Sequence, residues 1–357
     1  MLLALLALTA ACGSGSSADG TERDSRAGAS TSGASGPQEA RKPLEGSLRL
    51  GYFPNVTHAP AIVGVRSGHF TRALGPGVDL QLTIFNSGTE VIEALFSGAI
   101  DASFIGPNPA INGFAQSDGE ALQIVAGSTS GGASFVVRDG IDAPADLNGT
   151  TLATPSLGNT QDVALRAWLK DQGLSADTEG GGDVSIRPQE NADTLTTFLD
   201  GTIDGAWVPE PWATRLILEG GGHTLVNEKT LWEGGQFVTT HLVVSTRYLN
   251  EHPDLVEGLL GGLLTSLDEI KADPDAARTE TNDGIEAITG KRLKDETIAG
   301  AWENLTFTYD PIAASLEGSM DDAVAVGLLE PVGLDGIYDL GPLNKVLAAR
   351  GLPTLAS

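Results

Sequence analysis

Cysteine is almost absent: Cys12 is the only one in 357 residues. No intrachain disulfide can form, and no cysteine-based metal site exists. The five histidines, His58, His69, His223, His241 and His252, show no HxxxH or HExxH spacing, so zinc chemistry lacks a ligand set. Basic residues are also scarce. The 21 Lys and Arg stand against 47 Asp and Glu, a formal charge of −26. Such a surface repels nucleic acid and anionic lipid heads, and neither is expected as a partner. There is no GxSxG, no GxxxxGK[ST] and no GxGxxG opening a helix, and the single Cys lies in the N-terminal segment. The chain therefore reads as a non-enzyme, with no cofactor and no metal expected.

What the chain does have is a recurring unit of apolar strand, small polar turn and helix. It appears as LRLGYF then PNVTHAPAIVG, LQLTIF then NSGTEVIEALF, ASFIG then PNPAINGF, and TLATP then SLGNTQDVALRAWL. None of these turns holds Lys or Arg. A helix N-terminus carries unsatisfied N–H donors and the positive end of the helix dipole, so four such turns suit a small anion.

With 41% hydrophobic residues, the chain is long enough for two α/β units. Before them, residues 1–12 read as a signal segment. An apolar run from Leu2 to Ala11 is too short to span a bilayer, and small residues Ala10 and Ala11 precede Cys12. This resembles a lipoprotein signal peptide that ends at a lipidated Cys12. Thr9 stands where such sequences carry Leu, and no basic residue follows Met1. Residues 13–46 are rich in Gly, Ser and Ala and read as a flexible tether.

The body alternates strands and helices, the pattern of a largely parallel α/β sheet. In the first block the expected strands are LRLGYF, LQLTIF, DASFIG, LQIVAG and SFVVR. Helices are expected near Ala59–Ser67, Thr89–Ser97 and Ala110–Gln116. In the second block they are expected at Asn159–Gln172, Asp193–Asp200 and Trp212–Glu219. From about Asn250 the pattern is helical and packs back onto the first block. The expected result is two lobes, 47–139 with 241–357 and 140–240. Crossings are expected near Arg138–Ala143 and Phe237–His241, with a ligand cleft between the lobes.

Asn108–Pro109, Ser87–Glu90 and Asn159–Asp162 carry helix-start signals, and capping alone explains any one of them. Their clustering favours a shared ligand. Gly158, Asn159, Thr160 and Gln161 would present donors from one side. Thr57, His58, Ser87, Gly88, Asn108 and Ser128–Gly131, including Thr129, would present them from the other. Glu210 either faces the cleft or caps the helix beginning at Pro211. Trp212 either stacks on the ligand or belongs to the core.

At these turns the chain resembles the periplasmic-type solute-binding proteins of the nitrate, sulfonate and taurine ABC importers. The likeness runs over 48–347 and is nearest to aliphatic sulfonate-binding members. It rests on the stretches LRLGYFPNVTHAPAIVG, FNSGTEVIEALFSGAIDASFIGPNPAINGF, PSLGNTQDVALRAWL and IDGAWVPEPWATRLI. The resemblance implies the two-lobe type II binding-protein fold and a monomer that closes on a small anionic or zwitterionic ligand. It implies delivery to the transmembrane subunits of a permease at the outer face of the cytoplasmic membrane. It also implies ligand contacts from Asn55, Thr57 and His58; Ser87, Gly88 and Thr89; Gly106, Pro107 and Asn108; and Gly158, Asn159, Thr160 and Gln161. An acid at Glu210 would suit an amine as found in taurine. The absence of a pocket Lys favours a sulfonate over nitrate or bicarbonate. A phosphonate and a pyrimidine precursor remain alternatives on the same fold.

Overall fold

The computed structural model describes residues 43–179 and 181–356. The expected signal peptide, the lipidated Cys12 and residues 13–42 of the tether lie outside them.

The first lobe is built on a six-stranded sheet. It opens with β1 (Gly46–Tyr52), a short 3-10 turn at Val56–His58, α1 (Ala59–Arg66), α2 (His69–Leu74) and β2 (Val78–Ile84). Then come α3 (Gly88–Phe96), β3 (Ala102–Ile105), α4 (Pro107–Gln116) and β4 (Leu122–Gly131). The second lobe holds β5 (Ala133–Val137), β6 (Thr151–Thr154), α5 (Thr160–Asp171), β7 (Ser185–Pro188) and α6 (Asn191–Leu199). It continues with β8 (Gly205–Pro209), α7 (Trp212–Leu218) and β9 (His223–Asn227). The chain then returns through β10 (Val238–Ser245) to α8 (Thr246–Glu251), α9 (Pro253–Ala272), α10 (Pro274–Thr289) and α11 (Asp295–Glu303). Last come β11 (Leu305–Phe307), α12 (Ala313–Ala325) and α13 (Gly341–Ala349).

Strand order is β11-β4-β10-β3-β1-β2 in the first sheet and β7-β6-β8-β5-β9 in the second. β1 runs parallel to β2 and β3, and β6 runs parallel to β7 and β8. β10 lies antiparallel between β3 and β4, and every one of its residues is buried. That burial on both faces matches its near-continuous run of Val, Thr and Leu.

One expectation is overturned. The sequence pattern places SFVVR in the first block, but β5 pairs with β8 and β9 in the second sheet. The chain therefore changes sheets at Gly131–Gly132, not near Arg138–Ala143. Both glycines are left-handed, with φ of 80° and 76°. A Cβ on Gly131 would fall 2.6 Å from the Asn304 carbonyl oxygen. The crossing thus needs a backbone that only glycine adopts easily, in a space that only glycine fits. The return crossing lies between the end of β9 at Asn227 and the start of β10 at Val238.

The helical C-terminal part packs onto the first sheet as expected. Leu255, Val256, Leu259, Leu260 and Leu263 of α9 are buried in one cluster with Leu48 and Leu50 of β1 and Phe104 of β3. Each such leucine contributes about 1.5–3 kcal/mol of burial. The opposite face holds Val91, Ile92, Phe114, Ile124 and Leu316. In the second lobe, Phe135 stacks on Trp207 at 5.6 Å, and the Trp207 indole donates to Glu228 at 2.7 Å. Among the described residues no helix is long and apolar enough to cross a membrane.

Candidate functional site

Strand C-termini and helix N-termini of both sheets meet at a cavity of about 40 Å³. On a scale where one water takes roughly 10–15 Å³, that is room for a few heavy atoms. The first lobe supplies Phe53, Asn55, Thr57, His58, Asn86, Ser87, Gly88, Gly106, Pro109 and Thr239. The second supplies Pro155, Asn159, Thr160, Gln161, Asn191 and Pro209.

The turn opening α5 shows how sequence shapes the site. Asn159 Oδ1 accepts the N–H groups of Gln161 and Asp162, both at 3.1 Å. Buried Asp162 in turn accepts from Thr154 Oγ1 at 2.8 Å and from the Gly158 N–H at 2.9 Å. Arg166, one turn on, neutralises it at 2.9 Å. The turn is locked from behind, while the Thr160 N–H, in the first helical turn, has no intrahelical partner to reach. At α3 the Ser87 hydroxyl accepts from Glu90 N–H at 3.4 Å. At α4, Pro107 and Pro109 lack N–H groups, so this N-terminus offers fewer donors than its neighbours.

His58 is neutral. Burial pulls it down to about 3. Its Nδ1 accepts from the Phe53 N–H at 3.3 Å, and its ring stacks on Phe53 at 4.5 Å. The proton of the neutral ring therefore sits on Nε2, as a donor. Among the described residues, no Lys, Arg, Asp or Glu lines the cavity. An anion held here meets helix N-termini, hydroxyls and one imidazole N–H, with Phe53, Pro109, Pro155 and Pro209 as apolar walls.

Of the sequence candidates, Asn55, Thr57, His58, Ser87, Gly88, Gly106, Asn159, Thr160 and Gln161 line the cavity. The others lie outside its lining. Thr89 and Pro107 sit in helical first turns whose neighbours line it. The Asn108 side chain turns back to donate to the Ser319 carbonyl at 2.9 Å. Ser128 and Thr129 are buried in β4. Gly158 spends its carbonyl on Asn112 Nδ2 at 3.3 Å.

Glu210 lies outside the cavity lining and is bonded at the start of α7. It accepts from the N–H and hydroxyl of Thr214 at 3.1 and 3.0 Å and from Asn304 Nδ2 at 2.7 Å. Burial pushes its carboxyl above the usual range, against those three donors. The expected acid for a ligand amine is thus committed elsewhere. Trp212 neither stacks in the cavity nor is fully buried. Its Nε1 donates to Asn55 Oδ1 at 3.0 Å, and Arg215 lies 4.8 Å over its ring.

Sequence reasoning missed Phe53, Asn86, Pro109, Pro155, Asn191, Pro209 and Thr239. Phe53, Pro109, Pro155 and Pro209 flank the very turns singled out, so extending each turn by one or two residues would have found them. Asn191 carried a signal too, an Asn at the start of an amphipathic helix after a strand. The Thr239 hydroxyl donates to the Gly131 carbonyl, a contact set by the crossing alone.

Comparison with known proteins shows the fold and the family. The taurine-binding periplasmic protein of Escherichia coli K12 is 26% identical over 217 residues, covering 60% of this chain and 64% of that protein. The chain thus spans less than two thirds of that relative's length. The alkanesulfonate-binding protein SsuA of Xanthomonas axonopodis pv. citri, solved with MOPS, superposes with a TM-score of 0.66 at 21% identity. It covers 81% of this chain and 96% of its own. The nitrate-binding protein NrtA of Synechocystis PCC 6803 gives 0.68 at 16% identity, over 86% and 89%. Both share the fold. The model of the NMT1-like family matches residues 41–282, most of the body, and the chain belongs to that family.

Proposed function

We propose that the protein is the extracytoplasmic solute-binding component of an ABC importer, and that it binds a small sulfonate-type anion for delivery to the permease. The observation that carries this reading is the convergence of helix N-termini from both sheets on one cavity with no charged side chain in its lining. Oxyanion recognition needs donors, and neutral ones avoid burying a cation. Each charge-assisted hydrogen bond contributes about 1.5–3 kcal/mol, so four give roughly 6–12 kcal/mol, the scale of a micromolar affinity at about 8 kcal/mol. The apolar walls suit the carbon chain of an organosulfonate. Binding is the whole function in this reading, with no catalytic step.

The lobes close on the ligand as a monomeric clamshell, with the body moored to the membrane by lipid on Cys12. Taurine is less favoured than an alkanesulfonate without an ammonium group, because Glu210 is engaged with Thr214 and Asn304.

A second reading keeps the fold and replaces the sulfonate with nitrate. The small cavity of about 40 Å³ supports it. Melting temperatures in the presence of ethanesulfonate, taurine, nitrate, bicarbonate and methylphosphonate separate the readings. A ligand at 100 times its Kd stabilises by about 2.7 kcal/mol, several degrees in Tm. Stabilisation by a sulfonate at lower concentration than by any other class is the expected outcome. Stabilisation by nitrate alone would transfer the assignment to the second reading.

A further inference from the structure

The side-chain amides around the cavity have their oxygens engaged, with one buried exception. Asn55 Oδ1 accepts from Trp212 Nε1 at 3.0 Å, Asn159 Oδ1 from two backbone N–H groups at 3.1 Å, and Gln161 Oε1 from Asn159 Nδ2 at 3.4 Å. His58 Nδ1 is likewise occupied by the Phe53 N–H. Asn86 is exposed to solvent. Asn191 differs from all of these. It is the first residue of α6, it lines the cavity from the second lobe, and it is 9% exposed. Its Oδ1 is buried and has no hydrogen-bond partner among the described residues.

A buried acceptor without a donor is costly, and native proteins rarely leave one unless something else completes it. In the wall of a ligand cavity, the ligand is the available partner. A sulfonate head cannot play that part, because its oxygens only accept; nor can nitrate. On the ligand, such a partner is an O–H or N–H away from the sulfonate head. The charge of that donor follows from the lining. No carboxylate lines the cavity, and Glu210 has its oxygens taken by Thr214 and Asn304. An ammonium group would be desolvated here without a counter-charge, whereas a hydroxyl carries no such penalty.

We infer that Asn191 is a specificity-determining residue that accepts a hydrogen bond from a neutral hydroxyl of the ligand, so that the site prefers a short hydroxylated sulfonate to its unsubstituted or aminated counterpart. The inference rests on the sulfonate reading of the same cavity.

The test is calorimetric titration of the full chain with ethanesulfonate, 2-hydroxyethanesulfonate and 2-aminoethanesulfonate. The hydroxylated compound is expected to bind about tenfold more tightly than ethanesulfonate, the worth of one well-made hydrogen bond to an otherwise orphaned group. It is also expected to bind more tightly than the aminated one. Asn191→Ala should abolish the preference, weakening the hydroxylated compound by far more than ethanesulfonate, since only the acceptor has gone. Asn191→Asp keeps an acceptor and adds charge, and should move the preference to the amine. Equal wild-type affinities for ethanesulfonate and its hydroxylated form would overturn the inference without needing any variant to fold. So would an Asn191→Ala protein that weakens all three ligands alike, because the amide would then be donating to the sulfonate head. Failure of all three to bind would overturn the sulfonate reading as well, which separates the two failures.

Discussion

The Trp212 indole Nε1 donates to Asn55 Oδ1 across 3.0 Å, joining a helix of the second lobe to the turn after β1 in the first. The two residues are 157 apart in sequence, and one of them lines the cavity. Asn112 to Gly158 and Asn304 to Glu210 make the same kind of link between lobes. These bonds exist only where the lobes meet, so they join the lobes and do not stabilise each by itself; in the proposed clamshell they favour closure.

Trp212→Phe keeps the ring over Arg215 and removes the N–H. Losing one interlobe hydrogen bond of about 1 kcal/mol should weaken ligand binding roughly fivefold. The unliganded melting temperature should stay close to wild type. Titration calorimetry beside thermal unfolding reads both quantities. Unchanged affinity would mean that the bond does not favour closure.

Gly106→Ala tests closure from the other side. Gly106 has an ordinary φ of −72°, so alanine brings no backbone strain. A Cβ there would nonetheless fall 2.5 Å from Thr160 Oγ1 on the opposing lobe. The variant should fold normally yet lose tenfold or more in affinity, since only the closed arrangement meets the clash. A matching loss of thermal stability without ligand would show that the contact belongs to the fold and not to closure.

Capping and binding separate at the start of α5. Asn159→Ala removes the acceptor for two backbone N–H groups and should cost about 1 kcal/mol of stability besides weakening binding. Thr160→Val removes only a cavity-lining hydroxyl. It should raise Kd about tenfold, the lower range for a charge-assisted bond, with Tm little changed. If Thr160→Val binds like wild type, the hydroxyl is not a ligand contact.

Much of this was legible in the chain. The strand–turn–helix units are periodic and local, so α3, α5 and α6 begin within about two residues of where caps and apolar spacing put them. Sheet membership was not. SFVVR alternates like any strand, and nothing within it says that β8 and β9 are its neighbours; the double glycine just before it was the available clue. The site divided along the same line. Residues that offer backbone N–H groups were found because capping motifs mark helix starts. Phe53 and the prolines lie just beyond the turns that the capping motifs mark, Asn191 opens a helix with a weaker start signal, and Thr239 is selected by tertiary packing alone. Glu210 stood open between cap and cleft, and the choice was made by Asn304, 94 residues away.

Acid stability carries a signature of the buried imidazoles. Burial holds His241 at about 4, although its Nε2 bonds the Pro311 carbonyl. Its folded value lies below its unfolded one, so between them the unfolded chain binds the extra proton. The stability this residue contributes is whole above about pH 6.5 and is lost as pH falls toward 4. From pH 6.5 to 5 the loss is about 2 kcal/mol at 1.36 kcal/mol per unit. Glu228, pushed up to about 7 by burial, gives a slope of opposite sign, so comparison with a variant isolates the histidine. The stability gap between wild type and His241→Gln should narrow by about 2 kcal/mol between pH 7 and 5 in urea unfolding. A constant gap would mean that His241 titrates alike in both states.

The central claim is that a small sulfonate is held between the lobes by donors that carry no charge. Calorimetric titration of the full chain at pH 7 with ethanesulfonate and nitrate tests it most directly. One-to-one binding of the sulfonate, tighter than nitrate and weakened by Thr160→Val, is the predicted result. No heat from the sulfonate, alongside tight binding of nitrate or another class of ligand, would contradict it.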